Sequence, residues 1–225
     1  MTQIINFKST EKNILLNVLN EYPLMDSFNI ANIIEDMMYE DVIEYYPSGD
    51  LKGKYTLRFG VRHGTYCSWW NNGEKCTESN YINGRLNGLF TTWTSDGNKE
   101  QEFHFQDDKL NGLCQQWHDN GQKFSECTYR NGKKEGVYIQ WHYNGVVNKK
   151  SHWQDDELNG ISQMWHENGK KFSECTYRDG ERDGLYQTWF DNGEKCLECT
   201  YRNGEKRGLS RSWGRDGKFI SYSNY

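Results

Sequence analysis

A lattice of glycines with a step of 24 residues constrains this chain more than any other feature. One series of glycines lies at positions 49, 73, 97, 121, 145, 169, 193 and 217, and a second lies at 64, 88, 112, 136, 160, 184 and 208. Tryptophans follow the same step, each four residues before a glycine of the first series: Trp69, Trp93, Trp117, Trp141, Trp165, Trp189 and Trp213. A fixed period of this length is typical of repeat proteins, in which each unit buries its apolar side chains against its neighbours.

Each repeat unit has the pattern of a β-hairpin. In residues 185–201, two short runs flank Asn192-Gly193, and both runs are too short to be helices. A turn at this point can hold two or three residues, and the two choices place opposite sets of side chains on a given face. Pro47 and Gly49 favour the three-residue loop, because proline suits the first central position of a type I turn and glycine suits the left-handed residue that follows. Successive hairpins should then pair edge to edge into an antiparallel meander of roughly 15 strands.

A regular ladder continued from this turn predicts that tryptophan and tyrosine share one face. Trp117, Ser125, Cys127 and Tyr129 would lie on that face, where the small side chains leave room for the rings, and the opposite face would be polar. We expect the rings to pack on one another as the core and, where they are exposed, to form a groove for an extended protein partner. The candidate binding residues are Trp93, Trp117, Trp141, Trp165, Trp189, Trp213, Tyr129, Tyr177 and Tyr201.

Composition narrows the function classes. Hydrophobic residues make up 35% of the chain and aromatic residues 15%, which suits a thin structure rather than a thick core. The net charge of −5 argues against a nucleic-acid partner. Residues 47–225 hold 25 Lys/Arg and 24 Asp/Glu, so they lack the basic excess that binds anionic membranes. The start of the sequence lacks the pattern of an export signal, and the cysteines are odd in number at seven, which together predict a reducing, cytoplasmic location.

The segment Tyr129–Gly145 carries the pattern Tyr-x-Asn-Gly-x-x-x-Gly-x-Tyr-x-x-Trp-x-x-x-Gly. This pattern resembles the MORN repeat, and most closely its variant with a 24-residue step, over residues 42–225. The resemblance implies a mainly β fold, an elongated single-layer antiparallel β-hairpin meander of about seven MORN-type repeats. It also implies two further functions as alternatives: association with phospholipid membranes, and the antitoxin role that some bacterial variant-repeat proteins carry.

Residues 1–41 do not repeat and are predicted to form a short α-helical N-terminal cap. Apolar stripes before Pro23 and after Asp26 predict two helices, which would cover the apolar end and the unpaired strand edge of the array. Residues 16–26 also resemble the first part of an F-box, a segment that some MORN proteins of large DNA viruses of amoebae carry, and this implies docking to the ubiquitin machinery. The candidate docking residues are Leu16, Leu19, Tyr22, Pro23 and Asp26. Cap and docking element both remain open as interpretations.

No residue pattern points to catalysis, a metal ion or a cofactor. Cys196 and Cys199 are three apart on a predicted strand, so they point to opposite faces. His118 and His142 recur one repeat apart, about 10 Å, which is too far for both to bind one zinc ion. We therefore predict a non-catalytic scaffold for protein–protein interaction, with an F-box-like substrate adaptor of a ubiquitin ligase as the main alternative. The aromatic residues of the last strand, 219–225, predict a homodimer through that edge.

Overall fold

The structure is a computed structural model, and it describes residues 38–225. These residues form 17 β-strands and no helix. The strands are β1 Tyr39–Tyr45, β2 Leu51–Arg58, β3 Val61–Trp69, β4 Lys75–Ile82, β5 Arg85–Trp93, β6 Lys99–Gln106, β7 Lys109–Trp117, β8 Lys123–Arg130, β9 Lys133–Trp141, β10 Val147–Gln154, β11 Glu157–Trp165, β12 Lys171–Arg178, β13 Glu181–Arg182, β14 Gly184–Trp189, β15 Lys195–Arg202, β16 Glu205–Trp213 and β17 Phe219–Asn224. They belong to two compact units: the first ends at Gly97 and holds β1–β5, and the second runs from Asn98 to Tyr225 and holds β6–β17.

Within each unit the strands form an antiparallel meander. In the first unit each strand pairs with the next one along the chain. The second unit follows the same rule, except that the two-residue β13 and the longer β14 both pair with β12. The predicted mainly β hairpin meander is therefore confirmed. The predicted helical cap lies outside the described residues, apart from its last residues, of which 39–41 begin β1.

The longer turns have the three-residue form that Pro47 and Gly49 predict. After β7, the Gly121 N–H donates to the His118 carbonyl at 2.9 Å, and the His118 N–H donates to the Gln122 carbonyl at 2.8 Å. Gly121 has a φ of +80°, a conformation that glycine adopts without steric cost. The turn that contains Pro47 repeats both hydrogen bonds at the equivalent positions.

The shorter turns hold two residues that both have positive φ, as in type I′ hairpins. Asn131 and Gly132 have φ values of +52° and +86°. Asp155 and Asp156 occupy the same two positions at +51° and +72°, because a short polar side chain tolerates the left-handed region better than others do. These aspartates therefore form a turn.

A bulge that recurs after most of the longer turns overturns the predicted face assignment. Trp117 pairs with Lys123, but the next pair is Gln116 with Ser125, so Phe124 is an extra residue in β8. One extra residue reverses the side of every following side chain. The same shift recurs after the turns that follow β1, β3, β9, β11, β14 and β16. The prediction that tryptophan and tyrosine share a face is therefore wrong: Ser125, Cys127 and Tyr129 lie opposite to Trp117.

Side-chain contacts agree with this register. The Ser125 hydroxyl donates to Gln116 Oε1 at 2.9 Å on one face, and Gln115 Nε2 donates to Glu126 Oε2 at 2.8 Å on the other. We call the first the Tyr face, defined in the second unit by Cys114, Ser125, Cys127, Tyr129, Tyr138 and their equivalents in other repeats. We call the second the Trp face, defined by Leu113, Gln115, Trp117, Glu126 and their equivalents.

The most buried side chains are small, because a single sheet has no second layer to cover large ones. They are Cys, Ser and Thr residues with one valine: Val42, Ser79, Thr91, Cys114, Ser125, Cys127, Ser151, Ser162, Ser173, Cys175, Thr188, Cys199 and Ser210. Most lie on the Tyr face, between rings that are only partly buried. Apolar burial therefore comes from contacts between neighbouring repeats, as the composition predicts.

Candidate functional site

On the Trp face, a lysine that is paired with a glutamate covers the tryptophan ring of the next repeat, and we call this recurring arrangement the clamp. Lys123 Nζ lies 2.6 Å from Glu126 Oε2 and 5.6 Å from the ring centre of Trp141, one repeat further on. The hydrogen bond from Lys123 and a second one from Gln115 hold the pKa of Glu126 below its usual range. The same ammonium–ring contact is made by Lys75, Lys99, Lys171 and Lys195. The tryptophans are thus covered by ion pairs and are half-buried.

The clamp is replaced at β10. Val147 stands where the other repeats have the clamp lysine, and Lys150 stands where they have the glutamate. Trp165, the ring that this clamp would cover, has no cation–ring contact among the residues that the structure describes. The hairpin of β9 and β10 therefore lacks both the lysine–glutamate ion pair and the lysine over the tryptophan ring.

Beside the clamps, an exposed aliphatic residue follows every glycine of the second series except Gly64. In the second unit these residues are Leu113, Val137, Ile161, Leu185 and Leu209, each 39–48% exposed. Leu89 is their equivalent in the first unit, and Thr65 fills the same position one repeat earlier. Successive members are two strands apart, about 10 Å. We call the five residues of the second unit the aliphatic row.

On the Tyr face, cations are held between aromatic rings. The Arg182 guanidinium lies 4.6 Å from the ring centre of Tyr186 and 5.2 Å from that of Tyr201, and its Nε donates to the Tyr177 hydroxyl at 3.3 Å. Lys134 takes the equivalent position in β9, with its ammonium 4.7 Å from the ring centre of Trp153. Such contacts contribute about 0.5–1 kcal/mol each where solvent reaches them.

The Tyr face of the second unit also contains an open groove of about 240 Å³. Its floor holds the buried side chains of Cys114, Ser125 and Cys127. Burial raises the pKa of the Cys127 thiol to about 11, and burial is also the main cause of the raised pKa of Tyr129, about 12. Both groups are therefore neutral at physiological pH, which leaves the floor of the groove uncharged.

Three histidines that recur at a step of 24 residues, His118, His142 and His166, donate hydrogen bonds from one repeat to the next. Nε2 of His118 donates to the Trp141 carbonyl at 3.2 Å, and Nε2 of His142 donates to the Trp165 carbonyl at 2.9 Å. His166 repeats the contact once more. Within residues 38–225, no cluster of His, Cys, Asp and Glu is arranged to hold a metal ion, and all seven cysteines are free.

The structure separates the predicted binding residues into two sets. The six tryptophans lie on the Trp face, and Tyr129, Tyr177 and Tyr201 lie on the Tyr face. The five F-box-like residues lie outside the part of the chain that is described. Sequence reasoning missed the aliphatic row. Its signal is present in the sequence, because an aliphatic residue directly follows every glycine of the second series except Gly64. No helix among the described residues is long and apolar enough to cross a bilayer.

These hairpins, with their inter-repeat ladders of tryptophan, lysine and histidine, define a β-repeat protein. Four segments of the chain match the family described as MORN repeat variant, at residues 62–83, 110–131, 158–179 and 182–203. These four segments are variant MORN repeats, as the sequence pattern predicts.

Other comparisons add little. No curated protein matches the chain. Among solved structures, it is similar to S. aureus TarM in complex with fondaparinux, α-GlcNAc-glycerol and UDP, with 9% identity over 66% of this chain and 27% of that one, at a TM-score of 0.29. A second TarM crystal structure gives 10% identity over 63% of this chain and 25% of that one, at 0.27. The chain thus spans about a quarter of TarM, and TM-scores this low support no argument about fold or function.

Proposed function

We propose that this protein is a non-catalytic scaffold that binds a protein partner on the Trp face of its second unit. The observation that carries the proposal is the aliphatic row. Its five members recur at a regular spacing and are 39–48% exposed, beside a band of glutamine, glutamate and lysine side chains. An apolar centre beside a polar, hydrogen-bonding rim is the usual anatomy of a protein–protein interface.

The chemistry of the reactive residues supports the non-catalytic part of the proposal. The histidines that recur beside the tryptophans donate to backbone carbonyls, so their ring nitrogens serve the sheet. Burial raises the pKa of the thiols of Cys114, Cys127, Cys175 and Cys199, and a thiol of raised pKa is a poor nucleophile.

A variant of the aliphatic row tests the proposal. Threonine already fills the row position at Thr65, so the triple variant Leu113→Thr, Ile161→Thr and Leu185→Thr removes apolar surface with residues that the repeat accepts. Tagged full-length wild type and variant are used for affinity purification with mass spectrometry, and captured proteins are then purified and titrated. We expect at least one partner that binds wild type directly and loses affinity for the variant.

The matched control is Ile82→Gln. Ile82 is 49% exposed but lies outside the row, and Gln106 and Gln154 fill the same repeat position. The control should bind like wild type. A partner that binds all three proteins equally would show that the row is not the interface, and the proposal would then be wrong.

A further inference from the structure

The groove on the Tyr face is a second feature that the scaffold proposal does not use. It lies across β6 to β9, with Phe103, Leu110 and Tyr138 as its walls and Cys114, Ser125 and Cys127 at its floor. Its volume of about 240 Å³ is below the range of about 300–1,000 Å³ that is usual for sites of small molecules and cofactors. A groove of this size, open to solvent and uncharged at its floor, fits one large side chain of a peptide.

Two lysines on this face depart from the repeat. Lys134 borders the groove, in a position that is leucine in Leu86, Leu110 and Leu158. Lys149 stands one strand further on, paired with Gln140 in the ladder, in a position that is serine in the β8 and β12 repeats. The lattice therefore accepts neutral residues at both positions, and folding does not require either charge.

Within residues 38–225, neither lysine has an anionic partner. Among the described residues, no carboxylate lies within ion-pair distance of the ammonium of Lys134 or Lys149. The nearby Asp156 accepts a hydrogen bond from the backbone N–H of Lys134 at 2.6 Å. The ammonium of Lys134 lies beside the rings of Tyr138 and Trp153, at 5.3 and 4.7 Å from their centres. Burial and the charge of Lys134 both lower the pKa of Lys149, so the two ammonium groups repel each other across this face.

We propose that the groove binds an acidic segment of a protein partner, with an apolar side chain seated over Cys114 and Cys127 and an adjacent carboxylate held between Lys134 and Lys149. A carboxylate there relieves the repulsion between the two ammonium groups and gives each a charge-assisted hydrogen bond. The partner chemistry follows from this complementarity: an uncharged floor for an apolar anchor, and two cations at the rim for an acid.

An anionic membrane fits this site less well. Binding of lipid surfaces is typical of clusters of four to eight basic residues on a face that can lie flat against the bilayer. Here Lys134 borders a groove sized for one side chain and Lys149 lies one strand further on. The other cations of this face, such as Arg182, are held between tyrosine rings. The geometry therefore favours a single side-chain carboxylate.

Variants copied from other repeats allow a test that preserves the fold. The double variant Lys134→Leu and Lys149→Ser installs the residues of neighbouring repeats and removes both charges. Ser125→Leu fills the groove with the residue that Leu197 places at the equivalent position. The control is Lys150→Glu, which restores the usual glutamate on the Trp face and changes the net charge by the same amount as the double variant.

The probe is a phage-displayed library of short random peptides, selected on the full-length wild type and measured afterwards as fluorescein-labelled synthetic peptides. We expect enriched sequences in which Asp or Glu adjoins an aromatic or aliphatic residue. Their affinity should fall at least about tenfold for the double variant and for Ser125→Leu, and should not change for Lys150→Glu. Circular dichroism and thermal unfolding of each variant confirm that it is folded.

Three results would overturn the inference: no enriched peptide, enriched peptides without acidic residues, or acidic peptides that bind the double variant as tightly as wild type. Vesicles of phosphatidylserine and phosphatidylcholine are tested in parallel. Vesicle binding that needs both lysines, without peptide binding, would assign the site to lipid headgroups and also refute the proposal. The inference rests on the proposed function only in that its partner is a protein. It uses the opposite face, so the aliphatic-row variant and the lysine variants can fail independently.

Discussion

The register of β7 and β8 makes a direct chemical prediction, because Cys114 and Cys127 are paired residues on adjacent strands. Both are free thiols, buried at 6% and 4% exposure. Directly opposed residues of an antiparallel pair have Cα atoms about 4.5–5.5 Å apart, inside the range of about 4.4–6.8 Å seen for disulfides. We therefore expect mild oxidation with diamide to join Cys114 to Cys127. A ladder without the bulge at Phe124 would place them on opposite faces and prevent the bond.

The rate of this cross-link should depend steeply on pH. Burial raises the pKa of the Cys127 thiol from 9.0 to about 11. At pH 8 a thiol of pKa 11 is about 0.1% thiolate and one of pKa 9 is about 10%, so ionisation alone slows the reaction of Cys127 about a hundredfold. The rate should rise about tenfold for each pH unit up to the pKa, because only the thiolate reacts.

The disulfide should also stabilise the fold. It would close a loop of about 14 residues, for which chain entropy predicts a gain of about 3 kcal/mol in the free energy of unfolding, less any strain. Urea denaturation of the oxidised and reduced protein measures the gain. The variant Cys114→Ser is the control, because Cys127 then has no thiol opposite it and oxidation should not change its stability.

Peptide mapping under non-reducing conditions identifies the bond. We expect the peptides of Cys114 and Cys127 to be linked, while Cys175, which lies opposite Ser162, remains reduced under the same conditions. The substitution Ser162→Cys should create a second bond of the same kind. If Cys127 stays reduced at pH 10 while the half-buried Cys76 and Cys196 react, or is linked to another cysteine, the register and both face assignments are wrong.

Two further predictions concern the contacts between repeats. The Asn168 side chain donates to the Asp191 carbonyl at 2.7 Å and accepts from the Lys170 N–H at 3.0 Å. Asn168→Asp should lose the first contact and lower the free energy of unfolding by about 1 kcal/mol in urea denaturation. Asn168→Ala should lose both contacts and lower it further. Equal loss in the two variants would contradict the ladder. Hydrogen bonds from Lys171 and Gln163 lower the pKa of Glu174 from 4.5, so its contribution is complete above pH 4.5 and is lost as the pH falls through the folded-state pKa. Glu174→Gln should therefore be less stable than wild type at pH 7, by less than about 1 kcal/mol, and this deficit should shrink as the pH falls below 4.5. A deficit that does not shrink on acidification would show that the ion pair is not its cause.

The strands and turns could be predicted from the sequence because the repeat fixes them locally. Glycine recurs where the longer turn needs positive φ, and Asn131-Gly132 is a direct signal for a two-residue hairpin turn. Pro47 indicates that the longer loop holds three residues. Each of these decisions depends on residues within the turn itself, so one sequence is enough to make it.

The faces could not be predicted, because the bulge has no signature in the sequence. The extra residue is Phe124 in β8, Asn148 in β10 and Cys196 in β15, and these side chains share no chemistry. A bulge is set by how the twisted strand leaves its turn, and this depends on the neighbouring strand. Once the bulge is known, the shared face of Cys114, Ser125, Cys127 and Tyr129 follows from alternation along each strand. The groove on the Tyr face thus depends on one backbone feature that only the structure reveals.

Lys149 is expected to affect both the stability of the fold and the proposed binding of an acidic peptide, and both effects can be measured. Its pKa is lowered from 10.5 by burial and, to a lesser extent, by Lys134. A lysine whose pKa is lower in the folded than in the unfolded state opposes folding at every pH below the folded-state pKa, and this penalty vanishes above 10.5. Lys149→Ser should therefore raise the urea midpoint at pH 7, and the gain should shrink as the pH approaches 10.5. Lys150→Ser, which changes an exposed lysine on the other face, should change the midpoint little at either pH. If Lys149→Ser instead lowers the midpoint, the lysine stabilises the fold, and this would contradict the proposal that its charge is there to bind an acidic segment. If the variant raises the midpoint and abolishes peptide binding, binding explains a charge that the fold alone does not need.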